Sequence, residues 1–149
     1  MDGYKLTYNV DMVFCIDATG SMRHVLDFVK QNALNLYRDV VAEMDKKHKV
    51  IHQLRVRVIA FRDYVADGED AMLSSDFFTL PDESQMFLDC MNGIAAKGGG
   101  DIPEDGLEAL AYAIRSDWTR EGIKKRHIIV VWSDAPTHEL GHGKIAPWY

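Results

Sequence analysis

The sequence is poor in cysteine, in proline and in surplus positive charge. It has two cysteines and four prolines, too few cysteines for the disulfide framework of a small secreted domain. We expect Cys15 and Cys90 to be free core thiols in a reducing compartment. The chain has 17 basic and 23 acidic residues, a formal net charge of −6. This balance argues against nucleic-acid binding, because no basic surplus is available to neutralise phosphates.

Long apolar runs and a secretory leader are also missing. No run approaches the roughly 18 apolar residues that span a bilayer, and the opening Met1–Lys5 lacks the basic-then-apolar pattern of a signal peptide. We therefore expect a cytoplasmic protein with no membrane partner. The 149 residues are 47% hydrophobic and 27% charged, which is typical of one globular domain. The predicted domain is 1–149.

Four segments have the pattern of strands. Val10–Ile16 is almost continuously apolar, as in a strand covered on both faces of a parallel sheet. Leu54–Phe61 alternates apolar and arginine positions in its first half. Phe77–Leu80 predicts a short third strand, and His127–Trp132 predicts a strongly apolar last one. The basic run 124–126 before it is interpreted as a solvated stretch.

Helices are predicted between these strands. Apolar residues recur at spacings of three and four from Met22 to Met44, and Pro81 opens a shorter helix with its own apolar stripe. A third helix begins near Ile102, with Asp101 as its N-cap. The predicted core face of this third helix is Leu107, Leu110, Ala111 and Ile114.

Strands alternating with helices predict a mostly parallel sheet covered on both faces, since parallel strands are joined by right-handed crossovers. The predicted fold is α/β, a three-layer, doubly wound arrangement of the Rossmann-like kind. A Gly- and His-rich loop, 135–149, follows the last predicted strand. We therefore expect the last strand and helix of such a fold to be absent.

Oxygen-rich loops follow the predicted strands. In open α/β sheets, ligands bind at the carboxyl ends of strands, and the loops there are Asp17–Ser21, Gly98–Asp101 and Ser133–Asp134. Hydroxyl and carboxylate oxygens without sulfur suit Mg²⁺. Thr19 and Ser21 also fit simple capping of the long helix. Asp17 is harder to explain in that way, because an unpaired buried carboxylate is costly.

These residues also resemble a family. Val13–Met22 is similar to the opening Asp-x-Ser/Thr-x-Ser motif of von Willebrand factor A domains, the first limb of a metal-ion-dependent adhesion site. Val130–Asp134 looks like that family's later metal-site strand. Phe61–Tyr64 and Gly98–Glu104 look most like stand-alone bacterial members and those attached to α-kinases.

The resemblance implies a ligand set and a function. Thr19 and Ser21 would bind the metal directly, and Asp17 and Asp134 largely through water. The family's second-loop Thr is replaced by Gly, so Asp101 is the nearest substitute. The metal would be Mg²⁺, with Mn²⁺ or Ca²⁺ as alternatives.

The resemblance further implies metal-dependent binding of a protein partner that presents Asp or Glu, with no bond broken and hence no enzymatic activity. Because a shortened sheet exposes an edge, a homo-oligomer through that edge is a further expectation.

Three alternatives remain open. His138, Glu139 and His142 match the His-Glu-x-x-His pattern of zinc metalloproteases, although the surrounding Gly and Pro residues do not favour the helix that this motif requires. A Mg²⁺-dependent hydrolase would use Asp17 as nucleophile, but Thr19 stands where its acid/base Asp is needed. The third alternative is a metal-free scaffold with a degenerate site.

Overall fold

The chain contains both strands and helices, but they do not strictly alternate: after the first strand and helix come three strands, two helices and a last strand. The computed structural model describes residues 6–62, 72–95, 106–122 and 124–133. The strands are β1 (Leu6–Asp17), β2 (Lys49–Phe61), β3 (Met72–Ser74), β4 (Phe78–Leu80) and β5 (Lys124–Trp132). The helices are α1 (Leu26–Lys46), α2 (Ser84–Asn92) and α3 (Gly106–Ile114), and a short 3-10 helix spans Gly20–Met22.

The strands form one mixed, mostly parallel sheet. Its order is β3-β2-β1-β5, with β4 also paired to β2. The central strand β1 runs parallel to both β2 and β5, whereas the short β3 and β4 are antiparallel to β2. The prediction of an α/β fold with a mostly parallel sheet is therefore confirmed at this level. Because Asp17 pairs with Phe61 and Ile16 with Trp132, the three parallel strands end together.

One face of the sheet packs against α1 and α2. Val10, Met12, Phe14 and Ile16 of β1 are fully buried on this face, as their alternation predicts. The ring of Phe14 lies 5.4 Å from that of Trp132 and 6.2 Å from that of Phe87, between centroids. Other buried members of this cluster are Leu26, Val29 and Ala33 of α1, Leu54, Val56 and Val58 of β2, and Met91 of α2.

The other face of the sheet packs against α3, through a different side of that helix than the sequence predicts. Ala109 and Ala113 are buried against the sheet. Ile114, predicted to be core, is 60% exposed, and Leu110 and Ala111 are half-buried. The prediction put the larger apolar residues inside. Alanine instead lets the helix backbone approach the strands closely.

Several element boundaries also differ from the prediction. The α-helix begins at Leu26, because a 3-10 turn occupies the chain around Met22. The basic run 124–126 lies inside β5, and β3 was not predicted at all. The Gly98–Gly100 loop, the start of the third helix and the side chain of Leu107 lie outside the described residues. Among the helices that the structure describes, none combines the length and apolar character that a membrane crossing needs.

Candidate functional site

Asp17 ends β1 with its side chain fully buried. Its Oδ1 accepts hydrogen bonds from the backbone N–H of Thr19 at 3.0 Å and from the Thr19 hydroxyl at 2.6 Å. Its Oδ2 accepts a hydrogen bond at 2.9 Å from the hydroxyl of Ser133, which follows β5. The carboxylate is thus stabilised by three donors, and the first and last predicted loops meet at one edge of the sheet.

The structure tests the predicted metal-site residues only in part. Thr19 is buried, and it makes no side-chain capping bond to the 3-10 helix that follows it. Ser21 lies within that helix, and Asp101 and Asp134 lie outside the described residues. Asp17 and Thr19 are therefore together, and the joint role of all five residues stays a prediction.

Arg62 is a component of this edge that the sequence analysis missed. Its side chain is 1% exposed. Its guanidinium donates from Nε to the carbonyl of Ala18 at 3.0 Å and from Nη2 to the carbonyl of Ala95. Arg62 therefore ties the loop after β1 to the segment after α2. The sequence signal was an arginine directly after an apolar strand, which we used only for the family resemblance.

A second polar cluster crosses the sheet at Asp11. The Asp11 carboxylate accepts hydrogen bonds from Nε and Nη2 of Arg55, both at 2.9 Å, and from the backbone N–H of Thr119 at 2.6 Å. Burial by itself raises the pKa of Asp11, but the hydrogen bonds from Arg55 and Thr119 outweigh it and hold the pKa below its usual value. This buried ion pair joins β1, β2 and the segment after α3.

An open cavity of about 370 Å³ lies beside this ion pair. We call it the arginine pocket; its lining residues are Arg55, Arg57, Asp76, Phe77, Arg115 and Asp117. Arg57 donates from Nε to the Ser75 carbonyl at 2.8 Å and from Nη1 to the Ser116 hydroxyl at 2.6 Å. A larger cavity of about 500 Å³ lies between α1 and β2, with a mainly apolar lining. Neither cavity includes Asp17.

Both cysteines are free thiols, as predicted. Cys15 is fully buried in β1, where burial raises the pKa of its thiol to about 12. Burial also raises the pKa of Cys90, which is half-buried on α2. Neither thiol is prone to lose its proton near neutral pH.

Comparison with known proteins gives one informative similarity. No protein-family model matches the chain. The chain is 28% identical over 136 residues to an ariadne-like RING finger protein of Acanthamoeba polyphaga mimivirus. The match covers 91% of this chain and 12% of that protein, so the chain spans about an eighth of the relative's length.

These findings overturn the family assignment made from the sequence. The resemblance to von Willebrand factor A domains, and to their bacterial and α-kinase-attached members, is wrong, because no such model matches and the named relative is a RING finger protein. The short Asp-x-Thr-x-Ser motif misled the assignment. Its Asp17 and Thr19 form a hydrogen-bonded turn at the end of β1.

The cofactor and function predictions depended on the family assignment and are wrong with it. A RING finger is a zinc-binding module, so the relative points to zinc rather than to Mg²⁺, Mn²⁺ or Ca²⁺. Within the described ranges, no group of three or more His, Cys, Asp or Glu residues is placed to hold a metal ion. The predictions of a metal-dependent protein-protein interaction module and of a protein without enzymatic activity are wrong for the same reason.

Proposed function

We propose that this chain is the protein-binding α/β domain of a RING-finger-type ubiquitin ligase and that it binds a ubiquitin-conjugating enzyme. The observation that carries the proposal is the similarity, along 91% of the chain, to one stretch of an ariadne-like RING finger protein. That stretch is 12% of the relative. The activity therefore belongs to a larger assembly in which this chain supplies a contact surface.

The thiol chemistry supports a binding role rather than a zinc-holding role for this chain. Structural zinc sites take four Cys or His ligands, and the thiols bind as thiolates. The sequence has only two cysteines, and burial raises the pKa of both thiols. We therefore assign the zinc ions of the ligase to other segments.

The edge formed by Asp17, Thr19 and Ser133 is our candidate contact surface. Ser133 is exposed there, while Asp17 and Thr19 hold the loop beneath it. We further propose that Asp101 and Asp134, two of the residues predicted from the sequence, extend this surface with negative charge and that Ser21 borders it.

We also propose the layer arrangement and the extent of the domain. Helices on both faces of the sheet support a doubly wound, three-layer domain, and we propose that residues 1–149 form one such domain. The two free thiols favour a reducing compartment such as the cytoplasm.

The test measures binding to purified ubiquitin-conjugating enzymes. The chain is immobilised, and a panel of these enzymes is passed over it in a biolayer interferometry assay. We expect at least one enzyme to bind with about micromolar affinity, as is typical of small, transient interfaces.

Matched variants locate the surface. Ser133→Arg is expected to weaken binding about tenfold by placing a bulky cation on the edge, whereas Asn32→Arg, an equal charge change on exposed α1, is expected to leave it unchanged. Melting curves confirm that both variants fold. If no conjugating enzyme in the panel binds, the proposal is wrong.

A further inference from the structure

The arginine pocket contains hydrogen-bond donors that the described chain does not use. Nε of Arg57 donates a hydrogen bond to the Ser75 carbonyl, and Nη1 donates to the Tyr112 carbonyl and the Ser116 hydroxyl. Nε and Nη2 of Arg55 donate to the Asp11 carboxylate, and Nη2 also donates to the carbonyl of Asp117. Within the described residues, Nη2 of Arg57 and Nη1 of Arg55 have no acceptor, so each guanidinium keeps an amino group free for another molecule.

The charge of Arg57 is also incompletely balanced. Burial lowers the pKa of Arg57, and the nearby Asp76 offsets only part of that effect. In the part of the chain that the structure describes, no carboxylate lies within ion-pair distance of Arg57, in contrast to Arg55 beside Asp11. A half-buried guanidinium without a contacting anion favours an external oxyanion.

The walls of the pocket hold the donors in place. The Arg55 guanidinium carbon lies 4.2 Å from the centroid of the Phe77 ring, and Phe77 lies 5.8 Å from Trp118 between ring centroids. Arg57 is fixed by its bonds to Tyr112, in the last turn of α3, and to Ser116, just after that helix. Little side-chain entropy therefore remains to be lost when a ligand binds.

We propose that the arginine pocket binds the carboxylate of a glutamate or aspartate in an acidic segment of a protein partner. A guanidinium fork matches the two oxygens of a carboxylate. The pocket lining has three arginines and two aspartates, a formal charge of +1, and Asp11, which pairs with Arg55 behind the pocket, reduces this charge further. That charge suits a monoanion, because a phosphate dianion in the same place would face Asp76 and Asp117 with an unbalanced negative charge.

The inference names the chemistry of the partner and rests on the proposed protein-binding function. The pocket is separate from the edge at Asp17. Asp11, which pairs with Arg55, lies six residues before Asp17 along β1, a distance of roughly 20 Å in a strand.

The experiment uses short fluorescein-labelled peptides and fluorescence anisotropy. The probe has two adjacent glutamates between Gly-Ser repeats, and matched peptides carry glutamine or phosphoserine at those positions. We expect the glutamate peptide to bind and the glutamine peptide not to bind. Arg115→Glu, which reverses one charge at the exposed rim, is expected to weaken binding by at least about fivefold.

Two further variants separate a specific pocket from general charge or misfolding. Arg38→Glu makes the same charge change on α1, on the opposite face of the sheet, and is expected to leave binding unchanged. Asp76→Asn removes an anion from the lining and is expected to strengthen binding severalfold, a gain that unfolding cannot imitate.

The outcomes separate this inference from the ubiquitin proposal. Equal losses in Arg115→Glu and Arg38→Glu, no binding of the glutamate peptide, or tighter binding of the phosphoserine peptide each overturn the inference. If the glutamate peptide fails while a conjugating enzyme binds, only the pocket is wrong. If the peptide binds through Arg115 while every conjugating enzyme fails, the pocket stands and the ubiquitin role is wrong.

Discussion

At the scale of single residues, the structure depends on two buried carboxylates, Asp11 and Asp17, that each accept several hydrogen bonds. Asp17 at the end of β1 could be predicted, because a carboxylate directly after an apolar strand requires partners. The ion pair between Asp11 and Arg55 could not, since its partners lie 44 residues apart and Thr119 is 108 residues from Asp11. Local periodicity carries no information about such distant contacts.

Replacing Asp11 should destabilise the protein strongly. Asp11→Asn removes the charge that Arg55 pairs with in a buried position, and breaking a buried ion pair by losing one partner costs about 3–5 kcal/mol. Urea unfolding followed by circular dichroism measures the change. Glu43→Gln is the control, because the Glu43–Lys47 pair is 58% and 61% exposed and should change stability by less than about 1 kcal/mol. Equal effects from the two substitutions would contradict the assigned role of Asp11.

The two thiols should differ in reactivity. A pKa of about 12 at Cys15 leaves roughly a thousandfold less thiolate at mildly alkaline pH than an ordinary cysteine has, and its side chain is fully buried. Iodoacetamide should therefore label Cys90 first, with Cys15 labelled only after denaturant is added. Peptide mapping by mass spectrometry reads both sites. Labelling of Cys15 as fast as Cys90 in the folded protein would show that β1 opens readily.

At the scale of elements, strand positions were easier to predict than helix faces. Val10–Ile16 and His127–Trp132 lie within β1 and β5 as predicted, because continuous apolar runs have few other stable uses in a protein of this size. The strand β3 was missed, since three residues are too few to show a period. The predicted buried face of α3 was wrong. The helix is apolar on more than one side, and the larger residues are not on the side that packs against the sheet.

The corrected face of α3 can be tested by overpacking. Ala109→Leu inserts a large side chain where the helix touches β1, and Cys15 Sγ already lies 3.8 Å from the Ala109 carbonyl. We expect a loss of about 1–3 kcal/mol in the free energy of unfolding. Ile114→Gln, at a 60% exposed position, should change it by less than about 0.5 kcal/mol. The reverse order of effects would restore the face predicted from sequence.

At the scale of the whole molecule, the mixed α/β class with a mostly parallel sheet was predicted correctly, and the family was not. A pattern of strand and helix segments follows from the need to bury a parallel sheet on both faces, and it can be recognised in a single sequence. A family assignment instead relied on a few residues in loops, of which Asp101 and Asp134 lie outside the described residues. Short motifs recur by chance, so a similarity along most of the chain carries more weight.

The stability of the molecule should fall in acid partly through Asp11. The pKa of Asp11 is lowered in the folded state, so its contribution is complete above the unfolded pKa of about 3.9 and is lost as the pH falls through the folded value. The difference in urea midpoint between the native protein and Asp11→Asn should therefore be constant near neutrality and shrink below about pH 4. A difference that stays constant into strong acid would mean that Asp11 is not stabilised as an anion.

The position of β1 at the centre of the sheet has a consequence for synthesis in the cell. Its two neighbours lie at very different distances along the chain, because Ile16 pairs with Ala60, 44 residues later, and with Trp132, 116 residues later. At typical translation speeds, roughly ten seconds separate the emergence of β1 from that of β5. During that time the edge of β1 that pairs with β5 is unpaired. A chain stalled before β5 would therefore be an aggregation-prone intermediate that needs a chaperone.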